Sequence, residues 1–358
     1  MRGLVIKSLV LTVLFIGGLY TLKYFLKFSV SSIFNLPHQT QTMAFSLDNT
    51  EIDTNIVLVN IAHLDRGLIA ETVHLIAEAD PSVIAFNICF DATKRTPYDS
   101  LLFSAFKKER NVVLIHNGEN CKCSKHVHYG KEEYFIPQDG IVRSFSTDSS
   151  TLSSVIVRLH NQQLYEKLKN RRKKEELINY IGNYTHFLTL HAELITARVI
   201  NVEAFKNKIV LLGYLGNQIP DAVNDQEDTY STPMADAHSS KMYGTEISAN
   251  ILHTIIQGKY ITIIPVLPCY GIYFIILVFN SVLGFLAIRK SRKLFAFILT
   301  ILVLGESFLA AFLMITLFGQ NIILNIEDLP FIILGGFLIQ YFLLKYPVTE
   351  AGQKNTAD

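Results

Sequence analysis

The chain has almost no surplus of charge, with 32 lysines and arginines against 31 aspartates and glutamates and a formal net charge of +1. A nucleic-acid binder carries a basic footprint, so the balance argues against that class. The sequence lacks a G-x-S-x-G nucleophile turn, a Walker phosphate loop and an H-E-x-x-H metal motif. Those absences remove the common signatures of serine hydrolysis, nucleotide hydrolysis and zinc proteolysis, and the chain reads as a non-enzyme. It has no internal repeat, no tryptophan and only four cysteines.

What is abundant is apolar surface: half of the 358 residues are hydrophobic. A spanning helix needs about 20 mostly apolar residues, and segments 4–22, 266–288, 294–318 and 329–346 approach that. They predict four transmembrane α-helices, one N-terminal and three C-terminal. Residues 289–293, "RKSRK", join the second and third of these with almost nothing to spare. Positively charged loops stay cytoplasmic, so this one sits inside and the region between the first two spans sits outside. No small-x-small cleavage site follows Leu22, where "KYFLKFS" stands instead, so the first segment reads as a retained anchor rather than a signal peptide. The resulting division is an N-terminal cytoplasmic end and anchor at 1–27, an outside domain at 28–262, three transmembrane helices at 263–346 and a short cytoplasmic tail at 347–358.

The outside region alternates short β-branched runs with helical periods. "NIVLVNIA", "PSVIAFNICF", "NVVLIH" and "KIVLLG" read as strands. "DRGLIAETVHLIAEAD", capped by Asp65, "PYDSLLFSAFKKER", the charge run "KLKNRRKKEE" and "GTEISANILHTIIQGKY" read as helices, the last leading straight into the second span. Near-continuous apolar strands alternating with helices predict an α/β domain with a mostly parallel or mixed sheet covered on both faces. At about 240 residues it is large enough for a core of its own.

"NKIVLLG" (207–213), "DTYSTP" (228–233) and "YGTEISAN" (243–250), with the weaker "INYIG" (178–182), "PQDGIVR" (137–143) and "NVVLI" (111–115), resemble the second type of CHASE domain in order and spacing. That family consists of extracytoplasmic sensory domains of bacterial receptors, followed by about three membrane helices and a cytoplasmic kinase or cyclase. The resemblance implies a multi-pass protein of the bacterial inner membrane with its large domain in the periplasm or extracellular space. Two departures stand out. Family members often carry an acidic residue after the first strand and a Trp-Pro segment before the first helix, where this chain has "NIAHLDRG". They usually carry an aspartate in the second strand, where this chain has Asn87. With only residues 347–358 after the last span, the output would lie in a separate protein.

Four groups of residues are candidates for chemistry. Asp228, Thr232, Glu246 and Asn250 could converge on a ligand over the carboxyl end of the sheet, where open α/β folds bind. They could equally hold a turn and a helix start. "GYLG" (213–216) could offer backbone amides to an anion, or be a plain strand exit. In "NGENCKCSKHVHYGKEEYF" (117–135), Cys121, Cys123, His126 and His128 could bind zinc or copper; no other cofactor is required. An ordinary loop with oxidised cysteines, or a strained Cys121–Cys123 bridge, fits the same spacing. Within the membrane, Asn280, Glu306 and Gln340 are natural hydrogen-bond partners that bind helices to one another or to a second copy.

The expected function is that of a membrane-anchored sensory protein transmitting to a separate signalling protein. The alternative is an envelope structural or assembly protein that uses the outside domain as an interaction module. Expected partners are the membrane, a second copy of the chain and a separate signalling or envelope protein, with no nucleic acid.

Overall fold

A computed structural model describes residues 52–91, 96–109, 111–116, 121, 127–216, 228–236, 239–323 and 335. Two compact units divide after Ile261.

The first unit begins at β1 (Asp53–Asn60) and α1 (Arg66–Ala77). The Asp65 carboxylate accepts from the amides of Gly67 at 2.7 Å and Leu68 at 3.0 Å, satisfying donors that the first helical turn leaves open. Then follow β2 (Val83–Phe86), α2 (Asp99–Lys108), β3 (Val112–Ile115), β4 (His128–Gly130), β5 (Ser144–Ser146), α3 (Leu152–His160), α4 (Gln162–Asn170) and β6 (Glu175–Leu177). The unit closes with β7 (Phe187–His191), α5 (Ala192–Thr196), β8 (Ile209–Gly213), β9 (Thr229–Asp236), β10 (Ser239–Tyr243) and α6 (Gly244–Gln257).

Six strands form one sheet in the order β4-β3-β2-β8-β1-β7. Every pairing in it is parallel. The alternation of side chains explains why the strands are apolar throughout. Val57, Val59, Ile84, Phe86, Val112, Leu114, Val210 and Leu212 enter one core with Ile69, Val73 and Ile76 of α1 and Leu102 and Phe106 of α2. Their neighbours Ile56, Leu58, Ala85, Val113 and Leu211 are just as buried; α3 and α6 pack on the sheet there. Phe86, Phe90 and Phe106 pack ring to ring at 5.2–5.5 Å. Phe106→Ala in such a cluster costs about 3–5 kcal/mol.

Three expectations are corrected. The run "KLKNRRKKEE" is helical only to Asn170; Arg172 adopts a left-handed backbone, φ 53°, and Glu175 enters β6. Glu176 is buried there between Arg171 at 2.5 Å and Lys173 at 3.1 Å. The stretch from Tyr214 to Met242, which its polar composition predicts to be one long loop, contains the antiparallel pair β9 and β10. Finally, α6 does not run straight into the next helix. Gly258, φ 66°, caps it in the left-handed conformation, and the following helix starts only at Val266.

In the second unit, β11 (Thr262–Ile263) pairs with β12 (Ile322–Ile323), and between them stand α7 (Val266–Lys290) and α8 (Arg292–Phe318). Both helices are long and apolar enough to cross a membrane. Ser291 alone separates them, capping α8 through a bond to the Leu294 amide at 3.0 Å. They pack through Cys269, Tyr273, Leu277, Phe295 and Ala310. Asn280 donates to Glu306 at 2.9 Å between the two helices. The predicted spans 4–22 and 329–346, and Gln340, lie outside the described residues, so the structure describes two apolar helices and not the expected four.

Candidate functional site

At the carboxyl ends of β1, β2, β3, β4 and β8 the chain leaves a cup of about 400 Å³. Its lining comes from each exit in turn: His63 after β1, Asn87, Ile88 and Cys89 after β2, and Ile115 ending β3. Glu132 and Tyr134 follow β4, Tyr214 follows β8, and Asp228 and Tyr230 come from the start of the hairpin. Backbone pairing ends here because each strand must turn, which frees side chains to face a ligand instead of a core.

Asn60, the last residue of β1, ties two of these exits together. Its carbonyl accepts from Ala62 at 3.0 Å and Leu215 at 3.1 Å, and its amide donates to the Gly216 carbonyl at 2.9 Å. Gly216 itself, φ 87°, has no room for a side chain: a Cβ would stand 2.5 Å from the Tyr243 hydroxyl. "GYLG" is thus a tightly held strand exit that delivers Tyr214 to the cup. A disulfide between Cys89 and Cys121 fixes the exit of β2.

The polar groups of the cup are electrostatically strained. Burial raises the Glu132 carboxyl, and the nearby charge of Asp228 raises it further. Burial also raises Asp228, opposed by the Tyr230 hydroxyl donating to it at 3.0 Å. Tyr134 is 9% exposed and pushed far up by burial and by the same acidic neighbours. Its ring meets that of Tyr230 edge to face at 5.2 Å. Asn87 is 8% exposed; its backbone amide bonds to Leu212 at 2.9 Å, and among the described residues its side-chain amide has no partner.

The residues singled out from the sequence separate into those at the cup and those elsewhere. Asp228 lines the cup. Thr232 is buried in β9, outside that lining, with no hydroxyl partner among the described residues. Glu246 and Asn250 belong to a clamp along α6, which is buried from Gly244 to Ile255. Glu246 accepts from the amides of Tyr243 at 2.6 Å and Tyr184 at 2.8 Å. Burial pushes its carboxyl up to about 6 against those two bonds. Asn250 takes the Ile181 amide at 2.9 Å and gives to the Gly182 carbonyl at 2.9 Å. Thr254 accepts from Asn179 at 3.0 Å. One turn away, His253 meets Asp53 of β1 at 2.6 Å with both side chains fully buried. "INYIG" and "YGTEISAN" are therefore the two halves of a single structural fastening.

The metal candidate changes as well. Cys121 is bonded to Cys89, which corrects the idea of a Cys121–Cys123 bridge and removes the Cys121 thiolate from a metal set, because a bridged sulfur has no thiolate to offer. His128 lies in β4, paired with Val113. Cys123 and His126 lie outside the described residues. Among the described residues no three His, Cys, Asp or Glu side chains gather as a metal site would require.

The family model for the CHASE2 domain matches residues 15–286. The chain belongs to the CHASE2 family. CHASE2 domains are extracytoplasmic sensory modules of receptors, which supports a sensory role in general. No curated protein and no solved structure matches the chain. Within the CHASE2 match, the stretch "NIAHLDRG" and Asn87, both noted in the sequence, reach the cup: His63 of that stretch and Asn87 line it. Sequence reading noticed both without joining them, and it passed over Glu132, Tyr134 and Tyr230, for which single residues without periodic pattern give no signal.

Proposed function

We propose that this CHASE2 protein is the membrane-anchored input half of a receptor, in which the extracytoplasmic domain binds a small molecule in the cup and passes the effect to a separate signalling protein. The observation that carries this reading is a cavity of about 400 Å³ at the sheet's carboxyl ends in a member of a sensory family. The N-terminus of α6 abuts it: the Gly244 amide donates to the Asp228 carbonyl at 3.0 Å, and a Cβ at Gly244 would stand 2.8 Å from the Tyr134 hydroxyl. A ligand that moves Asp228 or Tyr134 therefore acts directly on α6, whose chain continues to α7. Such coupling requires the ligand to prefer one arrangement of α6 over another.

In this reading the protein is multi-pass in the bacterial inner membrane. The described helices α7 and α8 are joined through Lys290, Arg292 and Lys293, three exposed basic residues suited to the cytoplasmic side. Four spans in all bring the domain to the other side, where the Cys89–Cys121 disulfide is chemically at home. Chemistry is left to the partner, and no cofactor is invoked.

A thermal-shift screen of the full-length protein in lipid nanodiscs tests this. The expected result is a small-molecule stabiliser whose effect disappears in Asn87→Ala. Stabilisers that act equally on Asn87→Ala and wild type would remove the cup as the input site.

The reading as an assembly module keeps one observation of its own. A groove between α1 and α2 exposes Leu68, Tyr98 and Leu101 at 38–54%, a face suited to another protein. Capture of envelope-assembly proteins from native membranes, lost in Leu101→Glu, would favour it.

A further inference from the structure

Two acids, three tyrosines and one amide give the cup a definite chemical preference. Among the described lining residues Glu132 and Asp228 are the carboxylates, and none is a lysine or arginine. Each carboxyl is held back from ionising by burial, and the Asp228 charge adds to that at Glu132. A positive charge placed between them relieves both effects at once.

The walls narrow the kind of cation. Tyr134 and Tyr230 stand edge to face at an interplanar angle of 72°, so their π surfaces look in different directions around one corner. Tyr214 supplies a further ring, backed by His63 at 5.4 Å and by Tyr243 at 5.5 Å. Rings set at angles beside acids suit a diffuse, weakly hydrated cation, which binds over π faces. A hard metal ion needs six or more oxygen ligands or a compact set of nitrogen and sulfur donors. The described residues gather no such set, and Asp228 is already engaged by Tyr230. The Asn87 amide, buried in the lining with no side-chain partner among the described residues, provides a directional group able to meet a hydroxyl, carbonyl or N–H on the ligand.

We infer that the cup binds a small organic ammonium ion, held by the carboxylates of Glu132 and Asp228, the rings of Tyr134, Tyr214 and Tyr230, and the amide of Asn87. This rests on the reading of the cup as the input site and adds the chemical class of what enters it.

Calorimetry on the full-length protein in uncharged-lipid nanodiscs decides it, with choline as the probe against its uncharged carbon isostere, acetate and calcium. Choline is expected to bind, and the isostere to bind at least about tenfold more weakly. Asp228→Asn keeps a side chain that tolerates the residue's φ of 59° and still accepts from Tyr230. Glu132→Gln removes the charge at nearly constant size, so both variants are expected to fold. Each is expected to weaken choline at least about fivefold and the pair to abolish it. Glu71→Gln, an exposed acid on α1 outside the cup, is expected to leave it unchanged. Choline binding that survives the double variant overturns the site. Binding of the isostere, acetate or calcium in its place, lost in Asn87→Ala, overturns the ammonium class while leaving the cup standing as a ligand site. Failure of every probe at millimolar concentration overturns the ammonium class and counts against the cup itself.

Discussion

The cup and the clamp along α6 are built from similar residues, carboxylates, amides and hydroxyls, and the protein treats them in opposite ways. In the clamp, Glu246, Asn250, His253 and Thr254 each find a partner within the fold, on the 179–184 segment, on Tyr243 or on β1. In the cup, Asn87 is buried without a side-chain partner among the described residues, burial raises both carboxyls, and the charge of Asp228 raises Glu132 further. A buried polar group satisfied by the protein contributes to stability; one left unsatisfied costs it, and persists where something else completes it. In the proposed reading the contrast divides the roles, stability to the clamp and binding to the cup, even though the two meet at Gly244.

Substitutions test that assignment in descending order of effect. His253→Ala leaves Asp53 buried without its side-chain partner His253, and breaking such a pair costs about 3–5 kcal/mol; denaturant unfolding of the purified protein measures it. The pair also fixes an acid limit. Burial raises the Asp53 carboxyl, but the His253 bond, the Asn55 amide and the attraction of His253 outweigh it and hold the group below its ordinary 3.8. Its stabilisation is full above pH 3.8 and lost as pH falls through the lower folded value.

Asn250→Ala strands the Ile181 amide and the Gly182 carbonyl in the interior and is expected to cost about 3 kcal/mol. Hydrogen exchange should show residues 178–184 opening first. A ligand-binding role for Asn250 would instead appear as lost affinity with unchanged exchange.

Glu133 reverses the pH sign of Asp53. Fully buried, it is pushed up to about 7 from 4.5, against the Ser153 amide donating to it at 2.5 Å. The folded state thus holds a proton that the unfolded state releases, so stability falls as pH rises from 4.5 through about 7. Glu133→Gln is expected to flatten that slope by about 2–3 kcal/mol, read from denaturation midpoints at pH 5 and pH 8. Retention of the full slope in the variant would shift the cause to Glu246, which acts in the same direction.

The smallest stability change is expected in the cup. Asn87→Ala should alter unfolding by less than about 0.5 kcal/mol while removing ligand-induced stabilisation, since among the described residues the Asn87 side chain has no hydrogen-bond partner to lose. A loss as large as that of Asn250→Ala would erase the distinction between the two regions.

The sheet was legible because runs such as "NIVLVN" and "KIVLLG" are buried on both faces and are apolar at every position, a pattern local to each strand. The helix start at Asp65 was legible for the same reason, since its bonds reach only to Gly67 and Leu68. The clamp was half legible: Glu246 and Asn250 share a helix face, but their partners at 181–184 are more than sixty residues away in sequence. The cup was legible only as anomalies. Asn87 and the stretch "NIAHLDRG" stood out as departures, with no signal at His63 itself, whereas Glu132 and Tyr134 lay inside "CKCSKHVHYGKEEYF", where the cysteines and histidines drew the chemical reading. What joins these residues is the parallel order β4-β3-β2-β8-β1, which sets strand ends side by side that are distant in the chain. The expected helix continuing from α6 into the span failed on Gly258, whose left-handed backbone ends what periodicity alone would extend.

That break has a mechanical meaning. A single helix running from a domain into a membrane is a drive shaft, which turns its far end as it rotates. Here the shaft is cut at Gly258, and Thr262 and Ile263 are pinned to Ile322 and Ile323 beyond the end of α8. The domain's last helix thus ends at Gly258 and a new backbone pairing begins at Thr262, so α6 and α7 are two separate helices and not one continuous shaft.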